Sequence, residues 1–285
     1  MSKRRHEVEI AKSFHASGTT VKCLVINLDR SVDRLADVTA EFSRIGVPFE
    51  RVAGIDAVTG APFIAPPLSE AEVCCFLSHR LCWQIIADGP DRYGAVFEDD
   101  VVFSHDAGPV LAGDSWIPRD ADVVKLETFF VPVRVGGRHV PVKNGYSATL
   151  LLGQHMGACG YILSKKAAQK LLKGTRRIKA TVDFVLFSPT EMTTARNTTY
   201  QLMPALCAQA QFVADNGGPS TLIQFAPPPP RNKRIIDRIQ AEATRAFAHL
   251  RNRHFFGTEK VDAVPLRFPL AIQANMDPSP IPALA

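Results

Sequence analysis

The sequence predicts an α/β fold with a mostly parallel central sheet flanked by helices, and three observations carry that expectation. Short apolar, β-branched runs alternate with helical patterns across residues 21–213. The longest helical pattern has clear start and stop signals, Ser69 with Glu72 at its head and Gly89-Pro90 at its end. A four-proline run, Pro227–Pro230, is a stiff extended spacer that closes the alternating region.

Residues 1–20 are polar and lack sustained periodicity, which reads as a tail. Val21–Leu28 is mostly apolar and β-branched and fits a buried strand. Ser31 is placed to N-cap a helix that Gly46 ends, with Leu35, Val38, Phe42 and Ile45 at helical spacing. Pro48–Ala53 is the second strand, and the capping box then opens a helix over Glu70–Asp88. Tyr93–Phe97 is a short apolar strand that runs straight into Glu98-Asp99-Asp100. Asp122–Glu127 is another strand ending in a carboxylate. After Gly136-Gly137 a hairpin-like region extends to Leu152, and Tyr161–Leu163 leads into a helix over Ser164–Lys173 closed by Gly174. Asp183–Phe187 reads as a short helix and Leu206–Val213 as a late strand.

The chain has 285 residues, of which 46% are hydrophobic and 21% charged, enough to bury a full core without disulfide or metal staples. No stretch approaches the ~18 apolar residues of a membrane span. The charged N-terminus is followed by no apolar segment of the kind a secretory signal needs. Cys23, Cys74, Cys75, Cys82, Cys159 and Cys207 include no C-x-x-C pair. Cys75 with His79, and His155 with Cys159, lack the four-ligand spacing of structural zinc, so reduced, buried thiols in a cytoplasmic protein are expected.

The net charge of +5 is local: seven basic residues against two acidic ones between Arg231 and Arg253 account for all of it. Ile236, Ile239, Ala243, Phe247 and Leu250 give that stretch an apolar stripe at helical spacing. Such a helix either lies on an anionic membrane surface, at the inner membrane face, or packs its stripe on the body. It carries no basic–aromatic motif, so nucleic acid is not an expected partner. The expected organisation is a tail over 1–20, a body over 21–226, the spacer with its basic helix over 227–257, and a proline-rich tail over 258–285.

The most informative local feature is Glu98-Asp99-Asp100. Three acids at the end of a buried strand repel one another unless a cation or basic group neutralises them. Oxygen ligands favour a hard cation, manganese or magnesium, which takes phosphate oxygens as further ligands. Glu98 and Asp100 are natural partners, because alternate residues of an extended chain point the same way. The plain alternative is a solvated acidic turn. A phospho-acceptor receiver domain would be about half this length and would carry its acids on the first strand, so it fits poorly.

Five segments, in order, resemble glycosyltransferase family 25, the lipopolysaccharide-biosynthesis galactosyl- and glucosyltransferases. They are Val25 to Arg34 (V-I-N-L-D-R-S-V-D-R), Glu72 to His79 (E-V-C-C-F-L-S-H) with Trp83 four residues on, Phe97 to Val101 (F-E-D-D-V), Val124 to Thr128 (V-K-L-E-T) and Gly157 to Ser164 (G-A-C-G-Y-I-L-S). The resemblance spans residues 21 to 213. It implies a GT-A-type nucleotide-diphosphosugar fold, a manganese-dependent acidic motif, and inverting transfer of a hexose, commonly galactose, from a UDP-sugar to a saccharide acceptor. A lipid-linked acceptor would suit the basic segment.

Carried over residue by residue, the resemblance puts Glu98, Asp99 and Asp100 on the metal and nucleotide-sugar motif, with Asp100 the first choice as direct ligand and Glu98 its partner. Asn27, Arg30, Ser78 and His79 fall among the donor-binding positions. Asp183, then Glu127, are the candidates for the general base. Each has a plainer reading: a satisfied core histidine for His79, a salt bridge with Lys125 for Glu127, and a helix-start cap for Asp183. Trp83 either stacks on a ring of the ligand or packs in the core, and Arg34 is a weaker diphosphate candidate than Arg30. Cys74, Ala158, Gly160 and Phe184 depart from the family pattern. Gly160 either opens space near a sugar or loosens a strand. A different class also stays open, a sugar-nucleotide-binding or scaffold protein that keeps the fold without turnover.

Overall fold

A computed structural model describes residues 20–57, 68–189, 191, 197–213, 263–264 and 268. The basic stretch 231–253 and nearly all of both tails lie outside the described residues. The elements run β1 (Lys22–Asn27), α1 (Val32–Ile45), β2 (Glu50–Ala53), α2 (Glu70–Asp88), β3 (Tyr93–Glu98), β4 (Val101–Phe103) and α3 (Ala107–Leu111). There follow β5 (Val123–Lys125), β6 (Val133–Pro141), β7 (Ser147–Leu151), β8 (Gly160–Ser164), α4 (Lys165–Gly174) and α5 (Val182–Phe187). The last are β9 (Thr199–Met203), β10 (Cys207–Gln209), α6 (Ala210–Val213) and β11 (Ala263–Val264).

Nine strands form one sheet in the order β11-β6-β7-β9-β5-β8-β3-β1-β2. The alternation of β1 decides which face each residue serves. Cys23 and Val25 join Val38 and Phe42 of α1 on one side, whereas Leu24 joins Phe76, Trp83 and Ile86 of α2 on the other. Helices α4 and α5 complete that second side through Leu171, Val182 and Leu186. A three-way edge-on packing of Phe42, Phe97 and Phe103 ties α1 to the strand that ends in the acids.

The helix signals act largely as expected. Ser69 accepts from the Glu72 amide at 3.2 Å and Glu72 accepts from the Ser69 amide at 2.7 Å, a complete capping box. Gly46 ends α1 at φ 67°, the left-handed conformation that glycine adopts most readily. Ser31 stands at the N-cap of α1, but its side chain makes no capping bond. Its carbonyl instead accepts from Asn27 Nδ2 at 3.0 Å.

The sheet is mixed rather than mostly parallel. Among the described strands only β1–β2, β1–β3 and β5–β9 pair in parallel. Strand β8 runs antiparallel to both β3 and β5, and the hairpin β6–β7 joins β9 antiparallel. The parallel expectation came from the β1-α1-β2-α2-β3 stretch, where helices serve as crossovers. Between β6 and β7 there is only a 3₁₀ turn at Lys143–Gly145, so the chain reverses there in a hairpin instead. The late strand expected over Leu206–Val213 is shorter: Cys207–Gln209 pairs with β4 in a separate two-stranded ribbon, and Ala210–Val213 turns helical. Among the described residues no helix is long and apolar enough to cross a membrane.

Candidate active site

Strands β1 and β3 lie side by side and parallel, so Asn27 and the acidic triplet emerge at the same end of the sheet. Asp99 is clamped there. Asn27 Nδ2 donates to its Oδ2 at 2.8 Å, and Arg34 Nη1, from the first turn of α1, donates to its Oδ1 at 2.8 Å. Arg51 in turn donates from Nε to Asn27 Oδ1 at 2.9 Å and holds the amide in that orientation. Both oxygens of Asp99 are thus engaged by the protein.

Asp100 is nearly buried, and its Oδ1 has no hydrogen-bond partner. Burial, and next the charge of Glu98, push its carboxyl up to about 7. Glu98 is pushed up to about 7 as well, by burial and then by Asp99 and Asp183, although a quarter of its side chain meets solvent. Asp100 thus keeps one buried carboxylate oxygen without a donor, next to the Glu98 carboxyl, and carboxylate oxygens are the ligands hard cations take. These residues fit a divalent hard cation.

Glu98 reaches back to α2. His79 Nε2 lies 3.2 Å from its Oε1, and Cys75 Sγ lies 4.0 Å from the same oxygen. His79 is fully buried, and its Nδ1 is 2.9 Å from the Tyr161 hydroxyl, which also accepts from Trp83 Nε1 at 2.7 Å. Every group is satisfied if Tyr161 donates to Nδ1 and Nε2–H donates to Glu98. Burial lowers His79 to about 4, in keeping with a neutral ring. Ser78 also faces inward; its hydroxyl donates to the Cys74 carbonyl at 2.7 Å and accepts from the Ile55 amide at 2.8 Å, which pins the chain after β2.

A second group of residues comes from β5, the loop before β8, and α5. Lys125 and Glu127 are both wholly buried, with Nζ 3.2 Å from Oε2. Lys125 donates further to the carbonyls of Gly157 at 2.6 Å and Met156 at 2.9 Å, and lies over the Phe187 ring at 4.1 Å. Glu127 Oε2 also accepts from the Cys159 amide at 3.0 Å, while Oε1 has no partner. Burial pushes Glu127 up to about 7 against the pull of Lys125. Asp183 Oδ2 accepts from the Gly157 amide at 3.1 Å; its Oδ1 accepts from Thr181 Oγ1 and from the Phe184 amide. Gly157, at φ +90°, is therefore the hub between the two candidate bases: its amide serves Asp183 and its carbonyl serves Lys125. A side chain there would collide with Phe129 and approach Glu127 Oε1.

The fold thus brings Asn27, Glu98, Asp99, Asp100, Glu127 and Asp183 into one electrostatic neighbourhood; Asp183 acts on Glu98 and His79, and Glu127 on His79. Arg30 is set apart, half-exposed and paired with Asp56 at 2.5 Å. Trp83 is fully buried beneath Tyr161, so it packs and supports rather than offering an open face. Gly160 opens no sugar space: a side chain there would meet Cys207 Sγ and the Phe97 ring. The sequence reading overlooked Tyr161 and Gly157. The spacing Lys125-Leu126-Glu127 did carry a signal, since alternate residues of a strand share a face.

The family described as glycosyltransferase family 25 (LPS biosynthesis protein) has a model that matches residues 20–186. The chain is 34% identical over 224 residues to the lacto-N-neotetraose biosynthesis glycosyltransferase LgtB of Neisseria gonorrhoeae, covering 70% of this chain and 80% of that protein. It is 34% identical over 240 residues to LgtB of Neisseria meningitidis serogroup B, covering 76% and 84%. It is 26% identical over 206 residues to the lipooligosaccharide biosynthesis protein lic2B of Haemophilus influenzae, covering 65% and 74%.

Proposed function

The chain belongs to glycosyltransferase family 25, and from that premise we propose that it transfers a hexose from a UDP-sugar to a saccharide acceptor of lipopolysaccharide or a related surface glycan, with inversion at the sugar carbon. Galactose is the donor sugar we assign. The observation that carries this reading is the convergence of the acidic triplet with Glu127 and Asp183 at the carboxyl ends of β1 and β3, where open α/β sheets take their ligands. We read the sheet as a GT-A-type scaffold on the same ground.

Asp100 and Glu98 would hold a manganese or magnesium ion, which when bound neutralises charge developing on the leaving diphosphate. The protein's own contribution is distributed among fixed groups. Arg34 and Asn27 lock Asp99 and so set the turn that presents its two neighbours. His79 orients Glu98 from below. Asp183, held by Gly157, takes the proton of the attacking acceptor hydroxyl, and buried Glu127 is the second candidate for that role. The basic stretch 231–253 is proposed to dock a lipid-linked acceptor's membrane at the cytoplasmic face; liposome co-sedimentation that is unchanged on removing residues 231–285 would refute this.

The deciding experiment is a donor screen with manganese, using UDP-galactose and UDP-glucose, followed by linkage analysis of the product and repetition with Asp100→Ala. Transfer that is lost in the variant supports the proposal. UDP binding without metal-dependent turnover on any UDP-hexose would instead establish a binding protein on the same fold.

A further inference from the structure

Cys75 and His79 lie four residues apart on α2, so their side chains share one face of the helix. The spacing alone offered two ligands. The sheet supplies a third, because β3 ends with Glu98 turned onto that face. The thiol sulfur, the imidazole nitrogen and a carboxylate oxygen all lie within 4.8 Å of one another.

We propose that Cys75, His79 and Glu98 form a binding site for a thiophilic divalent cation of the zinc type. One sulfur, one nitrogen and one oxygen make a ligand set that zinc accepts and that magnesium or manganese does not favour. Zinc bonds of about 2.0–2.3 Å in a tetrahedral arrangement place ligand atoms roughly 3.3–3.7 Å apart. The His79–Glu98 separation of 3.2 Å and the Cys75–Glu98 separation of 4.0 Å already bracket that span.

The surroundings suit the ion. His79 is wholly buried and held at its other ring nitrogen by Tyr161, whose hydroxyl can accept Nδ1–H once Nε2 is taken by a metal. Cys75 is half-buried and Glu98 partly exposed, so one side of the trio meets solvent and gives entry and room for a fourth, water ligand. The charges of Asp183 and Glu127 add a favourable field for a cation at His79. Glu98 is common to this trio and to the acid pair. Under the transferase reading above, on which this one consequence rests, zinc at Cys75 withdraws Glu98 from the hard cation and inhibits.

The test uses the full chain, stripped with chelator and titrated with zinc alone by equilibrium dialysis, then with cobalt followed by absorption. Wild type is expected to hold one zinc per chain, and its cobalt form to show thiolate-to-metal charge transfer. Cys75→Ser should weaken zinc at least tenfold and abolish that band, while Cys82→Ser, a thiol on the same helix outside the trio, keeps both. Absence of stoichiometric zinc in wild type, cobalt binding without the thiolate band, or equal zinc affinity in Cys75→Ser would overturn the proposal. None of these readouts depends on sugar transfer, so they stand or fall apart from it.

Discussion

Arg34 and Asp99, 65 positions apart in sequence, form an ion pair at 2.8 Å with side chains only 15% and 9% exposed. The pair joins the first turn of α1 to the turn after β3, and Asn27 completes it from β1. Arg34 acts here as a clamp on the acidic motif.

Arg34→Ala should therefore leave Asp99 with Asn27 as its remaining side-chain donor in a nearly buried place. Removing one partner of a largely buried pair costs about 2–4 kcal/mol. The double variant Arg34→Ala, Asp99→Asn should lose less than the sum of the single changes. Urea denaturation measures both, and additive losses would show that the two side chains are not coupled.

The acid pair predicts an inverse pH dependence. Asp100 rises from 3.8 to about 7 on folding, and Glu98 from 4.5 to about 7. Between about pH 4 and 7 the folded chain thus holds protons that the unfolded chain has released, so these groups cost increasing stability as pH rises, and the full cost is present above 7. Asp100→Asn should raise the melting temperature at pH 8 by several degrees, at roughly 2–4 °C per kcal/mol for a chain of this size, and by less at pH 5. Manganese should raise wild type at pH 8 and move the variant less. Equal shifts of Asp100→Asn at both pH values in calorimetry would contradict the assignment. His79 and His155, lowered to about 4 and about 3 by burial, work in the opposite sense, since unfolding takes up their protons below pH 6.5.

The choice of base is open to a direct comparison. Asp183→Asn should lower kcat by about 10²–10⁴ with donor KM little changed. Glu127→Gln should cost less in kcat, because Glu127 is wholly buried against Lys125. A larger loss of kcat in Glu127→Gln than in Asp183→Asn would transfer the role to Glu127.

Gly160 and Cys207 make a packing pair. Gly160→Ala would drive its methyl into Cys207 Sγ and the Phe97 ring, an overpacking cost of about 1–3 kcal/mol. Cys207→Ala in the same chain should restore most of that loss, and failure to do so in thermal melts would place the strain elsewhere.

What the sequence disclosed followed from local rules. The capping box at Ser69 and the glycine stop at Gly46 act within one turn of helix, and both were readable. Glu98-Asp99-Asp100 was readable because acids at the end of an apolar strand are unusual in themselves. The pairing of Glu98 with Asp100 follows from strand alternation, but the clamp on Asp99 was not readable, since it depends on Asn27 and Arg34 arriving from β1 and α1. The antiparallel placing of β8 escaped for the same reason: an apolar strand buried on both faces has no pattern that tells its direction. Cys75 and His79 were read as an isolated pair because their third partner stands on a different element.

The position of β8 has a consequence for the chain as it is made. Strand β3 has β1 on one side, available early, and β8 on the other. A nascent chain that has emerged only through Glu98 carries β3, apolar up to its terminal Glu98, with one edge unpaired, and that edge stays open until Gly160–Ser164 leaves the ribosome. Throughout that interval this open strand edge is a hazard for pairing with other chains. Stalled chains ending before and after this strand should differ sharply in chaperone binding, and the strand that closes the catalytic sheet is thereby also the one that ends its most aggregation-prone moment.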